Sequence, residues 1–201
     1  FGRLGELADS PRFHVKGADG QWSPVTWGEF AEQIRQVALF LRASGLEDGD
    51  RATIFAPNSV AWMSAALGIQ AAGGVMVPIY GSSTSDQAAY VIEHSDARFV
   101  FVDTAALLER VLRAWPSLSK VAHIVLLSDD VDPQAVAEGI EAGGAPLWDA
   151  IAPRIVRWSQ AMATGAAHHE VHPADFEQKM NAVSLDQPGV MLYTSGTSGQ
   201  P

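Results

Sequence analysis

Between Thr26 and Gly45 the apolar residues Phe30, Ile34, Val37, Ala38 and Leu41 recur every three or four positions, the spacing of one face of an α-helix. Thr26 and Glu29 occupy the N-cap and N3 places of a capping box, and Gly45 supplies the stop. Upstream, residues 12–16 and 21–25 flank Gly17-Ala18-Asp19-Gly20 and read as a hairpin. Downstream the period changes. Residues 52–56, 75–79, 98–103 and 123–127 are short, nearly continuous apolar runs, the pattern of strands buried on both faces. Helices are expected between them: one capped by Asn58-Ser59 and running to Ala72, one over 88–95 behind the capping box of Thr84 and Gln87, and one over 105–115. Strands alternating with helices require crossover connections. The expected fold is therefore α/β, a mostly parallel sheet with helices on both faces.

The last third is less regular. Residues 129–144 are acidic and Gly-containing, with room for one short helix, and Asp129, Asp130 and Asp132 lack the Gly and terminal Glu of an EF-hand loop. In residues 148–163, Ile151, Ile155, Trp158 and Met162 fall at helical spacing, which predicts one helix with a core-facing stripe. Gly165, His168, His169, Glu170 and His172 precede Pro173 and read as a polar loop before a further helix over 174–180. Imidazoles and a carboxylate are metal-ligand chemistry, but a solvated loop explains them, and no metal site is expected.

Composition narrows the function classes. A 201-residue chain that is 47% hydrophobic can bury a sizeable core. With 13 Lys and Arg against 23 Asp and Glu, net charge −10 and no basic run, it lacks the surface a nucleic-acid partner needs. The absence of cysteine removes disulfides and thiolate chemistry and suits a reducing cytoplasm, the default location. Residues 61–80 approach the length of a membrane span but carry Gln70 and break at Gly73-Gly74, so a helix followed by a strand is expected and no transmembrane segment. Peripheral membrane contact and oligomeric state stay open.

Chemistry concentrates at the end. Val190-Met191-Leu192-Tyr193 reads as a short core strand, and Thr194, Ser195, Gly196, Thr197, Ser198 and Gly199 follow it with four hydroxyls and two glycines in six residues. Glycines let backbone N–H groups converge on an anion and hydroxyls add donors, so phosphate binding is one reading and a flexible tail the other. The run is not a Walker A loop, because Gln200 and Pro201 stand where Lys and Ser or Thr would be needed. It is not a nucleophile elbow either, because neither Ser195 nor Ser198 has glycines two positions before and after it.

The whole string Tyr193-Thr194-Ser195-Gly196-Thr197-Ser198-Gly199-Gln200-Pro201 resembles the phosphate-binding signature of the AMP-forming adenylating enzymes, the superfamily of acyl-CoA synthetases, luciferases and peptide-synthetase adenylation domains. Thr26-Trp27-Gly28-Glu29, Gly49-Asp50-Arg51-Ala52-Thr53-Ile54, Asn58, Trp62 and Ala71-Ala72-Gly73-Gly74-Val75-Met76-Val77-Pro78 look like the N-terminal region of these enzymes, in the family's order. Val77-Pro78-Ile79-Tyr80, the hydroxyls of Ser82, Ser83, Thr84 and Ser85, then Tyr90-Val91-Ile92 and Ser95 are similar to the long-chain fatty acyl-CoA synthetase branch.

The resemblance implies the N-terminal portion of a large adenylating domain: a helix and hairpin region in 1–25, an α/β subdomain in 26–187, and a strand with a truncated phosphate-binding loop in 188–201. It implies a parent enzyme that uses ATP, Mg2+ and CoA to turn a carboxylic acid, a long-chain fatty acid first, into a thioester through an acyl-adenylate. Residues Thr194 to Gly199 would hold the ATP phosphates, and the catalytic residues are expected beyond Pro201. A flavodoxin-like nucleotide or flavin module and a non-catalytic interaction domain are the rival readings. The purified 201-residue chain is therefore expected to release no AMP when given ATP, CoA and a fatty acid; fatty-acid-dependent AMP in a chromatographic assay would contradict this.

Overall fold

The computed structural model describes residues 1–17, 19–140 and 146–194. A short helix, α1 (Leu4–Leu7), leads into an antiparallel hairpin of β1 (Pro11–Lys16) and β2 (Trp22–Thr26), as the sequence predicts. The chain then alternates: α2 (Trp27–Ala43), β3 (Arg51–Phe55), α3 (Val60–Ala71), β4 (Val75–Ile79), α4 (Ser85–His94), β5 (Phe99–Val102), α5 (Ala105–Ala114) and β6 (His123–Leu126). It continues through α6 (Pro133–Gly139), α7 (Trp148–Ile151), β7 (Ile155–Arg157), α8 (Trp158–Val171) and α9 (Asp175–Ala182). β3 to β7 form one five-stranded parallel sheet in the order β4-β3-β5-β6-β7.

Side-chain alternation divides the core into two layers, because successive strand residues point to opposite faces. Phe99, Phe101, Ile54 and Val125 pack against α2, α3 and α8 through Val37, Leu41, Ala65, Ile69 and Ala161. Val100, Val102, Phe55, Val77, Ile124 and Leu126 pack against α4, α5 and α6 through Val91, Ile92, Leu108, Leu112 and Ala137. Thr53 is buried within the sheet, and its Oγ1 donates to the Phe99 carbonyl at 3.4 Å.

Helix starts follow the caps read from sequence. Thr26 Oγ1 accepts from Glu29 N at 3.2 Å while Glu29 Oε2 accepts from Thr26 N at 2.7 Å, and Thr84 and Gln87 repeat the exchange at 3.3 and 3.0 Å. The ends of α2, α3 and α4 share one stop. Gly45, Gly73 and Asp96 each take positive φ, and the next residue donates back to the carbonyls of Leu41, Ile69 and Ile92, respectively. Asp96 takes this conformation although it carries a Cβ, and its carboxylate pairs with Lys120 and Arg51.

Two expectations between residues 148 and 172 fail. Residues 148–163 are not one helix: Pro153 lies in a 3-10 turn after α7, and Ile155, Val156 and Arg157 pair with Ile124, Val125 and Leu126 as the outermost strand. Residues read as a loop at 164–172 instead complete α8 through Val171, with His172 as its C-cap. Gly165 misleads because its role is packing. A Cβ built there would sit 2.0 Å from the Gln36 carbonyl oxygen, so the missing side chain lets α8 lie directly on α2. Gly165→Ala is expected to destabilise the fold by about 1–3 kcal/mol in urea unfolding. Gly5→Ala, with nothing within 4 Å of the added carbon, is the control and should be close to neutral; equal effects at both sites would contradict the packing role.

Candidate functional site

In an open parallel sheet every strand delivers its chain to the same edge, and ligand-binding loops gather there, at the point where the strand order reverses. β3 leads to β4 on one side and the chain then crosses to β5 on the other, so the reversal lies between the carboxyl ends of β3 and β5. Two segments meet that description: Pro57-Asn58-Ser59 after β3 and Asp103-Thr104 after β5. Ser59 Oγ accepts from Trp62 N at 3.0 Å and Thr104 Oγ1 from Leu107 N at 3.3 Å, so both hydroxyls are occupied as helix caps. Asp103 differs. It is half-buried, and its Oδ1 is sealed from solvent with no hydrogen-bond partner among the described residues. Its signal in the sequence is an acid directly behind the wholly apolar run Phe99–Val102.

The second feature of that edge is the turn after β4. Arg110 on α5 donates to the carbonyls of Gly81 and Ser83 at 3.0 and 2.7 Å, while Thr84 caps α4. The hydroxyl run of Ser82, Ser83, Thr84 and Ser85 is thus a pinned turn and cap.

The terminal segment attaches along the free side of β4. Met76 N donates to Gly189 O and Met191 N to Met76 O, each at 3.0 Å, which makes a single parallel bridge between Met76 and Val190. Gln70 Nε2 also donates to Gly189 O at 3.1 Å, and Gln187 Nε2 reaches the Gly73 carbonyl. The expected core strand is therefore corrected to a one-bridge edge segment, with Val190, Met191 and Leu192 exposed. Their apolarity gave the pattern of burial, but among the described residues nothing covers their outer side. Tyr193 turns inward, half-buried, and shares a 2.8 Å hydrogen bond with His94 Nδ1. Thr194 is exposed; Ser195, Gly196, Thr197, Ser198 and Gly199 lie outside the described residues.

Elsewhere, His168 Nε2 lies 2.9 Å from Asp175 Oδ2, and its ring stands 5.0 Å from that of His172. Among the described residues no three His, Asp or Glu side chains converge to hold a metal ion. None of the described helices is long and apolar enough to cross a membrane.

A family model described as "AMP-binding enzyme" matches residues 8–201. The chain is 31% identical over 186 residues to the long-chain-fatty-acid–CoA ligase FadD15 of Mycobacterium bovis, covering 91% of this chain and 26% of that protein. It is 26% identical over 181 residues to the long-chain-fatty-acid–CoA ligase ACSBG2 of Mus musculus, covering 90% and 24%. It thus spans about a quarter of the length of these curated relatives. In fold it is similar to the A-PCP didomain of carboxylic acid reductase from Segniliparus rugosus, solved with AMP: TM-score 0.65 at 16% identity, over 82% of this chain and 25% of that one.

Burial holds the Asp103 carboxyl above its ordinary value of 3.8, opposed by a smaller contribution from its own backbone N–H. The folded chain therefore binds this proton more tightly than the unfolded chain does, and stability falls as pH rises from 3.8 through the raised value. Asp103→Asn removes that loss. In urea unfolding the variant is expected to gain stability over the parent chain at about pH 7, and the gain should shrink toward about pH 3, where Asp103 is protonated in both states. A gain that grows on acidification would contradict the assignment.

Proposed function

Because this chain belongs to the AMP-binding enzyme family, we propose that it forms the N-terminal portion of an ATP-dependent, AMP-forming acyl-CoA synthetase whose acid substrate is a long-chain fatty acid. The family match over residues 8–201, a span that takes in the hydroxyl and glycine run, carries this reading. Two relatives named as long-chain-fatty-acid–CoA ligases, aligned over nine-tenths of the chain, support the acid class. The division into 1–25, 26–187 and 188–201 belongs to the same proposal, as does a cytoplasmic location.

The reaction sets the physical demand. A fatty carboxylate attacks the α-phosphorus of ATP, pyrophosphate leaves, and the thiol of CoA then displaces AMP from the acyl-adenylate. Two anions must meet in the first step, so the protein has to supply donors aimed at phosphate oxygens. The chain's own charge of −10 does not draw anions in from a distance, which leaves the work to local donors. The backbone N–H groups of Gly196 and Gly199 and the hydroxyls of Thr194, Ser195, Thr197 and Ser198 are the donors assigned to this role, chiefly for orienting the β- and γ-phosphates. Mg2+ accompanies the nucleotide as its counter-charge. Among the described residues no three His, Asp or Glu side chains come together to hold it.

The test is acid-dependent ATP–pyrophosphate exchange by the full-length protein with a panel of fatty acids. Exchange is expected with long-chain acids. Thr197→Ala should slow it by about ten- to a hundred-fold, the equivalent of one hydrogen bond to a charged group at about 1.5–3 kcal/mol. No exchange with any acid would overturn the function, and an unchanged rate in Thr197→Ala would overturn the role of that hydroxyl.

A further inference from the structure

The terminal segment is held at two places, and only the first is backbone pairing. Gly189 and Met191 exchange hydrogen bonds with Met76, and two residues on, Tyr193 is held by its side chain. Its hydroxyl meets His94 Nδ1 at 2.8 Å in the last turn of α4. Tyr90, one helical turn earlier, stacks on His94 at 5.3 Å and 28°. The Tyr193 ring stands edge-on to both, 5.6 Å from His94 and 6.2 Å from Tyr90 at interplanar angles of 89° and 88°. Both neighbours of Tyr193, Leu192 and Thr194, are exposed, so this ring is the inward contact of residues 192–194.

We propose that His94 is a positioning residue for the phosphate-binding run: with Tyr90 it fixes Tyr193, and so fixes where the chain enters Thr194 to Gly199. The inference rests on the reading of that run as the site of the ATP phosphates. Ordering Gly- and Ser/Thr-rich sequence around an anion costs conformational entropy in general. Fixing the residue at the mouth of the run lowers that cost before the nucleotide arrives, and such preorganisation appears as affinity for the ligand that the run holds. Three edge-to-face or stacked rings suit the task, since each has few rotatable bonds to immobilise. Burial, reinforced by Tyr90 and Asp96 and opposed by Arg51, holds the Tyr193 phenol above its ordinary 10.0, so it stays protonated at neutral pH and its O–H bond remains available.

The experiment uses the full-length protein with Tyr193→Phe, His94→Ala and the double variant. It reads KM for ATP, KM for a long-chain fatty acid, and the 15N shift of the His94 imidazole. Tyr193→Phe keeps the ring and its packing and removes only the hydroxyl. Each single variant should raise KM for ATP about five-fold, the loss of one ordinary hydrogen bond, with KM for the acid little changed. The double variant should be no worse than the worse single one, because both changes break the same contact. The His94 Nδ1 signal should move in Tyr193→Phe. An unmoved signal, additive effects or an unchanged KM for ATP would overturn the inference. Absence of acid-dependent turnover in the unmutated protein would overturn the proposed function and this inference together, and the imidazole shift tells that result apart from failure of the anchor alone.

Discussion

Phe99, Val100, Phe101 and Val102 are all fully buried, so the central strand offers water neither a face nor an edge. Almost everything else answers to that constraint. A parallel strand cannot reach its neighbour through a tight turn, so each step across the sheet needs a crossover, and a sheet apolar on both sides needs those crossovers divided between its faces. Hence α2, α3 and α8 cover one layer and α4, α5 and α6 the other. The same geometry sends every strand-to-helix junction to one edge. It also leaves β4 with an unpaired side, which the segment around Val190 occupies with a single bridge.

Local signals were legible where one residue type has one physical role. The paired Thr and Glu or Gln of two capping boxes started α2 and α4 at the expected places, and nearly continuous apolar runs located β3 to β6. Signals with two meanings misled. Ile151 and Ile155 stand four apart as on a helix, yet Pro153 between them forces a turn, and the second isoleucine opens a strand. Gly165 reads as a breaker by composition but serves a close helix crossing, which depends on where Gln36 lies in space. Val190 to Leu192 are as apolar as the true core strands, and burial there depends on what lies across the edge.

The proposed site is legible in part. The hydroxyls and glycines of residues 194–199 carry the phosphate-binding reading, whereas the proposed anchor pairs His94 with Tyr193, residues far apart in sequence and without a motif of their own. The strand order β4-β3-β5-β6-β7 is also the order of flavodoxin-like modules, so topology alone would suit a flavin or another nucleotide. The family match, which includes the terminal run, is what places the chain in the AMP-binding enzyme family rather than with those modules.

The most direct test follows the oxygen atoms of the acid. If the full-length protein is given a fatty acid labelled with 18O in its carboxylate, together with ATP and CoA, attack on the α-phosphorus followed by thiol displacement leaves one labelled oxygen on AMP and none on pyrophosphate. Label in orthophosphate with ADP as the co-product, or thioester formed without labelled AMP, would contradict an acyl-adenylate route.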